Sequence, residues 1–220
     1  MIKVVVFDAY GTLFDVHSIS ALAEQLYPGQ GAAISALWRD KQIEYTRLVT
    51  MSDPQGAQGS RYYQSFWDLT RAALGYTLAR LKLVHSQDHE DALMAQYARL
   101  TAFPENLGVL QLLRTLGLPT AILSNGSPEM LASAVASAGF TDLLTQVLSV
   151  DGIRQFKTTP QCYGLVLRAF AVQADEVLFV SSNAWDALGA TWFGFTTLWI
   201  NRQHLPPEAI GPKPSYTGAD

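Results

Sequence analysis

The sequence predicts an α/β protein: a doubly wound parallel sheet with an all-helical insert after its first strand. Three observations carry that expectation. Short β-rich apolar runs alternate with helical segments, each run ends in polar residues, and residues 16–100 hold no convincing strand. Strands alternating with helices imply a parallel sheet covered on both faces and connected right-handedly.

The first run is Ile2–Asp8, inside the string "VVVFDAYGTLFD", where an apolar strand stops at a carboxylate. Thr120–Asn125, Val177–Asn183 and Thr196–Asn201 are further strands, and Gln146–Val150 is a fifth candidate. Between them Glu105–Leu116 reads as a helix. Pro128–Ala138 is another, with Ser127 as N-cap and Pro at the first helical position, and Pro160–Phe170 starts the same way after Thr159. Within the insert, Ser18–Tyr27 ends at Pro28-Gly29. Ala32–Met51 follows as a long helix whose apolar stripe runs Ile34, Leu37, Trp38, Tyr45 and Leu48. A loop, "SDPQGAQGS", leads to helical stretches at Tyr62–Leu83 and Ser86–Leu100. The expected organisation is a core of residues 1–15 and 101–220, with residues 16–100 lying over the sheet's carboxyl edge like a lid.

Composition narrows the function. Of 220 residues, 49% are hydrophobic and 15% charged, so the chain folds rather than staying disordered. The low charge also hints at surface buried against another subunit. A net charge of −4 without a Lys/Arg cluster argues against a nucleic-acid partner. The single cysteine, Cys162, excludes an intramolecular disulfide and suits a reducing cytosol. No apolar stretch reaches the roughly 20 residues of a membrane span. The first apolar run, broken at Asp8, is too short for a signal-peptide core. A soluble, cytoplasmic protein is expected.

In open α/β sheets, ligands bind outside the carboxyl ends of the strands. Here those ends read Asp8; Ser124-Asn125-Gly126; Ser181-Ser182-Asn183 with Asp186 just beyond; and Asn201-Arg202. Lys157 lies shortly before the helix that follows the fifth run. One carboxylate at a strand end is ordinary, since Asp also caps helices and starts turns. Four polar strand ends along one rim mark a site.

Asp8-x-Tyr-Gly-Thr12, Ser124-Asn125, Lys157 and Ser181-Ser182-Asn183-x-x-Asp186, in this order, resemble the haloacid dehalogenase superfamily. The strings "FDAYGTLFDVHS", "ILSNGSP" and "FVSSNAWDA" are similar to its L-2-haloacid dehalogenase branch, over roughly residues 1–205. The resemblance implies a Rossmann-like core with a helical cap, a homodimer, and no cofactor or metal. Superfamily phosphatases carry a second Asp two residues after the nucleophile and further acids that hold Mg²⁺. This chain has Tyr10 at the first of those positions and Ser182 at another. Asp8, Asp186 and a haloacid anion are nearly balanced by Lys157 and one arginine. A phosphate dianion beside four carboxylates would need a divalent ion, because unbalanced charges about 4 Å apart cost on the order of 4 kcal/mol at an effective dielectric of 20.

By the same resemblance, Asp8 attacks the α-carbon of a short L-2-haloacid, expels halide and forms an ester. Water then hydrolyses that ester to a 2-hydroxy acid of inverted configuration. Lys157 would hold Asp8 ionised. Asp186 and Asn183 would position Lys157 and the water, with Ser181 in support. Ser124, Thr12 and the backbone near Tyr10 would take the substrate carboxylate, while Arg39, Asn125 and Trp185 would cradle the halide. Ile43, Phe66 and Tyr163 would line the pocket.

Plainer readings stand beside these. Arg39 falls off the apolar stripe of its helix and reads as a solvated surface residue by periodicity; only the string "ISALWRDKQIEY", which resembles the family's cap segment, reverses that. Trp185 and Phe66 are equally at home in a core, and Tyr163 could be a core tyrosine with a satisfied hydroxyl. His17 reads as a helix-entry residue and Cys162 as a small hydrophobe. Asp40 should face away from Arg39, roughly 100° around the helix. Lys157 is followed by Thr158-Thr159 where the family usually has Pro, so its loop could be set differently. The alternatives are a phosphatase or phosphonatase of the superfamily, or a non-catalytic relative that binds a small carboxylate.

Overall fold

The computed structural model describes residues 1–54, 56, 58–84 and 86–220. The order of elements is β1 (Val4–Phe7), α1 (Ile19–Leu26), α2 (Gly31–Ser52), α3 (Phe66–Arg80), α4 (Gln87–Tyr97), α5 (Glu105–Thr115), β2 (Thr120–Ser124), α6 (Pro128–Ser137), β3 (Gln146–Ser149), α7 (Pro160–Phe170), β4 (Val177–Ser181), α8 (Ala184–Phe193), β5 (Thr196–Ile200) and β6 (Tyr216–Gly218). All strand pairs are parallel, in the order β3-β2-β1-β4-β5-β6. This is the Rossmann-like, doubly wound α/β arrangement. The five expected strands form, each within a residue or two of its expected span. Strand β6, at the edge beside β5, was not foreseen: "YTG" is too short to show periodicity.

β1 and β2 are buried along their whole length, as strands covered on both faces must be. Phe7 pairs with both Ile122 and Val180, so the next residue, Asp8, emerges between the carboxyl ends of β2 and β4. There the order of connection reverses, the crevice where open sheets place ligands.

Helix starts follow local chemistry. Ser127 Oγ accepts the Met130 N–H, as its N-cap position predicts. Thr159 departs from that expectation. It makes no side-chain cap; its Oγ1 donates to Phe156 O and lies 3.1 Å from Cys162 Sγ. The helix expected over Tyr62–Leu83 is shorter, Phe66–Arg80, because Ser65 accepts the Asp68 N–H and fixes the start there. The "SDPQGAQGS" loop falls partly outside the described residues. Within α8, Gly189 is needed: a Cβ there would lie 2.7 Å from Tyr163 Oη and 2.6 Å from Thr158 Cγ2.

Candidate active site

The central strand ends deliver the polar groups of the site. β1 presents Asp8, and β2 presents Ser124 and Asn125. The segment between β3 and α7 presents Lys157, and β4 presents Ser181 with the first turn of α8 behind it. Asp8, Lys157, Ser124, Asn125, Ser181 and Asp186 are all buried. Lys157 Nζ donates to Asp8 Oδ1 at 3.0 Å and to Asp186 Oδ2 at 2.8 Å, one ammonium bridging two carboxylates. Asp8 Oδ2 accepts from Thr12 Oγ1 at 3.1 Å and from Asn183 Nδ2 at 2.8 Å. Asn183 sits at the N-cap of α8, yet its side chain makes no cap; the amide goes to Asp8 and to the Tyr10 carbonyl instead. Gly11, at φ +96°, turns the chain where a Cβ would meet that amide.

Asp186 is supported from below. Ser181 Oγ donates to its Oδ2 at 3.2 Å and Tyr163 Oη to its Oδ1 at 2.8 Å. Burial pushes the Asp186 carboxyl up to about 6, against the lowering pull of Lys157. The two carboxylates outweigh the desolvation of Lys157 and hold its ammonium above the ordinary lysine range.

Several expected residues stand elsewhere. Tyr163 is not on a pocket wall. It is fully buried against Phe179, Phe193 and Phe195, with its hydroxyl on Asp186. The Tyr10 side chain is buried. Its ring stacks on Tyr97 at 5.7 Å and packs on Phe66 and Phe14, while its carbonyl accepts from Asn183 and Arg39. Among the described residues the Tyr10 N–H makes no hydrogen bond. Phe66 is buried in that same aromatic cluster. Thr12, besides meeting Asp8, accepts the Ser182 N–H at 2.8 Å, which ties β1 to β4.

Of the expected halide cradle, Arg39 reaches from α2 across to the strand ends. Its Nη2 donates to Asn183 Oδ1 and Tyr10 O, both at 3.1 Å. Trp185 and Ile43 line, with Arg39, an outer cavity of about 750 Å³, and the Arg47 guanidinium lies 5.4 Å from the Trp185 ring centre. Asn125 is not on that wall: it is buried, its Oδ1 accepting the Lys157 N–H at 2.9 Å. Ser124 Oγ accepts the Gly126 N–H. Asp40 is exposed, yet it and His17 also border the outer cavity. The Lys157–Thr158 peptide is cis.

Sequence reasoning passed over two residues here. Gln42 and Tyr97, buried in the cap, hold the far side of Arg39. The three-residue spacing of Arg39 and Gln42 on one helix was the available signal.

The residues do not fit the divalent ion of the superfamily's phosphatases. The Lys157 ammonium occupies the space between the two carboxylates that converge, and Tyr10 and Ser182 replace further acids.

Comparisons with known proteins agree on the family. A model of hydrolases described as haloacid dehalogenase-like matches residues 2–194. The (S)-2-haloacid dehalogenase of Pseudomonas sp. (strain YL) is 41% identical over 98% of this chain and 89% of its own. The crystal structure of the L-2-haloacid dehalogenase RSc1362 superposes with a TM-score of 0.96 at 56% identity, covering 100% of this chain and 95% of that one. The L-2-haloacid dehalogenase of Xanthobacter autotrophicus with chloropropionic acid covalently bound superposes at 0.88 with 38% identity, covering 99% and 94%. With its strand-end carboxylate clamped by one lysine and its matches spanning nearly the whole chain, the protein belongs to the haloacid dehalogenase-like hydrolases.

Proposed function

We propose that this chain is an (S)-2-haloacid dehalogenase, hydrolysing short L-2-haloalkanoic acids to 2-hydroxy acids with inversion through an ester on Asp8. The observation that carries the reading is a nucleophile without an acid beside it. Asp8 accepts from Lys157, Thr12 and Asn183. At the position where a phosphatase keeps its proton donor stands Tyr10, its ring packed among aromatics and its phenol pushed well above the usual tyrosine range by burial. A leaving alkoxide would need a proton; a halide needs none.

In the first step Asp8 forms a carbon–oxygen bond as the carbon–halogen bond breaks and the halide leaves with the electron pair. In the second, water adds to the ester carbonyl, the hydroxy acid departs and Asp8 is regenerated, with a proton released. Asp186, raised towards neutrality and adjacent to Lys157, suits the base of that second step. Asn183 orients Asp8, and Ser181 and Tyr163 orient Asp186. Ser124 and the free Tyr10 amide would take the substrate carboxylate. Arg39 and Trp185 would take the halide, with Ile43 against the alkyl group. Residues 16–100 form the cap in this reading, residues 1–15 and 101–220 the core, and neither metal nor cofactor takes part.

We also read the protein as a cytoplasmic homodimer. Leu48 and Met51 on α2 and Tyr76 on α3 leave apolar surface exposed on the cap, which supports an interface there. Sedimentation at assay concentration measures that mass.

Isotope placement tests the central claim. In a single turnover in H₂¹⁸O, with enzyme in excess and after dialysis against EDTA, the first hydroxy acid should carry no label and the Asp8 peptide should gain mass. Asp8→Asn should abolish turnover, since an amide is a poor nucleophile. Label in first-turnover product would sink the nucleophile assignment, and activity lost on dialysis and restored by Mg²⁺ would return the phosphatase reading.

A further inference from the structure

Arg39 has no carboxylate partner among the described residues, and its long side chain must cross from cap to core to meet Asn183. What aims it lies in the cap. Arg39 Nη1 donates to Gln42 Oε1 at 2.8 Å, three residues on along α2. Gln42 is fully buried, and its Nε2 donates to Thr70 Oγ1 at 2.6 Å, on α3. Tyr97 Oη, on α4, lies 3.1 Å from both ends of the Gln42 amide. Trp38 Nε1 donates to Thr70 O at 2.8 Å and pins the two helices at this level.

The direction of these bonds is determined. Thr70 Oγ1 has one proton, and it goes to Phe66 O at 2.6 Å. Towards Gln42 the hydroxyl can therefore only accept, so the glutamine must turn its NH₂ to Thr70 and its carbonyl to Arg39. Reversed, the amide would face a guanidinium with two N–H groups, and both sides would lack an acceptor in a buried site. From Phe66 O through Thr70, Gln42 and Arg39 to Asn183 and Asp8, each link has one allowed polarity.

We infer that Gln42 is a positioning residue for the dehalogenation reaction: its amide, oriented by Thr70, fixes the guanidinium of Arg39 over the Asp8–Asn183 pair. This rests on the reading of Arg39 as a halide contact and extends it to residues that touch no substrate. A neutral acceptor suits the role, because a carboxylate at 42 would neutralise the guanidinium and repel the departing halide.

Gln42→Met keeps length and burial but removes the carbonyl. It should lower kcat on L-2-chloropropionate roughly ten- to a hundredfold, the rate equivalent of one charge-assisted hydrogen bond. The loss should be smaller on the bromo acid, whose leaving group needs less help. In an Arg39→Met background the same change should cost nothing more, since Gln42 acts only through that arginine. Additive losses, equal losses on both halides, or a Gln42→Met enzyme with normal kcat would overturn the inference. So would a harmless Arg39→Met. If Gln42→Met fails to fold, Thr70→Val frees the amide to turn and should give the same pattern, with Thr70→Ser restoring it. A crystal structure of either variant supplies a readout independent of turnover. The guanidinium should leave Asn183 and Tyr10, and finding it still within hydrogen-bond distance of both would sink the idea even in a protein that released no halide.

Discussion

The strand ends and the helices above them hold their polar groups by different means. At the strand ends, Asp8 and Ser181 sit on backbone that the sheet already fixes, and Asp186 lies in the first turn of the helix that follows β4. Each carboxylate is met by short-range donors: Thr12 from the turn after β1, Ser181 from the end of β4 and Asn183 two residues beyond it. The cap works at a distance. Arg39, its contact with Asn183, comes from the middle of a helix and needs a separate set of neutral side chains to aim it. Ionic bonds secure the core half of the site; directed neutral hydrogen bonds secure the cap half. The first should be costly to break and felt in stability, the second cheap to break and felt in rate.

Lys157→Met is the hardest test of the core half. It removes the single cation from two buried carboxylates, and breaking such a pair from one side costs about 3–5 kcal/mol. The variant should lose dehalogenation entirely. Its stability should also acquire a pH dependence of definite sign. Without the ammonium's lowering pull, the Asp186 carboxyl, raised by burial, rises further above its unfolded value, so the folded state binds more protons than the unfolded one. Stability then recovers as pH falls towards 4 and is lost as pH rises past the raised value. Urea unfolding at pH 5 and pH 8 measures the difference. A variant as stable at pH 8 as the parent would mean that Lys157 holds position, not charge.

The same contrast explains what could be read from the sequence. Strand ends are legible because an apolar run stopping at Asp8, Ser124 or Ser181 fixes both the element and the direction in which the next polar residue emerges. That places the core half of the site without any tertiary information. In the cap, a helix shows only its stripe. By that stripe Arg39 is a surface residue, and nothing in "WRDKQ" says that α3 and α4 close over Gln42. Tyr163 takes its plainer reading, a core tyrosine with a satisfied hydroxyl. Placed on α7 beside Cys162, it faces inward to the back of the site, where α8 approaches closely enough to need Gly189. β6 went unseen because an edge strand of three residues has no pattern to show.

Tyr163→Phe probes that back wall with a smaller change. The ring stays packed on Phe179, Phe193 and Phe195, and only the hydroxyl on Asp186 is lost. That bond favours the ionised carboxylate, so its removal raises the Asp186 pKa from about 6. If Asp186 serves as the base, the acid limb of kcat should lie near 6 in the parent and move up by about one unit in the variant, equivalent to about 1.4 kcal/mol. Rates well above the limb should be close to normal. An unmoved limb would separate Asp186 from the ester hydrolysis.

The smallest effect should come from the seam where cap meets core. Tyr63, just before α3, donates its hydroxyl to Asp151 Oδ1 at 2.5 Å, and its ring stacks on Phe156 at 5.2 Å. Burial and that carboxylate push its phenol far up, so it remains the donor at any working pH. Tyr63 does not hold the seam alone. The Ser60 N–H donates to Arg154 O and the Phe156 N–H to Thr50 Oγ1, both at 3.0 Å, across the same boundary. Tyr63→Phe keeps the stacking and loses one half-buried hydrogen bond, so it should cost about 1 kcal/mol, or about 2–4 °C in Tm for a chain of this size. The value of kcat should be unchanged, because neither Arg39 nor Asp8 is touched. A collapse of kcat at nearly full stability would show that this one latch governs how the cap sits on the core, and the division between an ionic core and a neutral cap would have to include the seam.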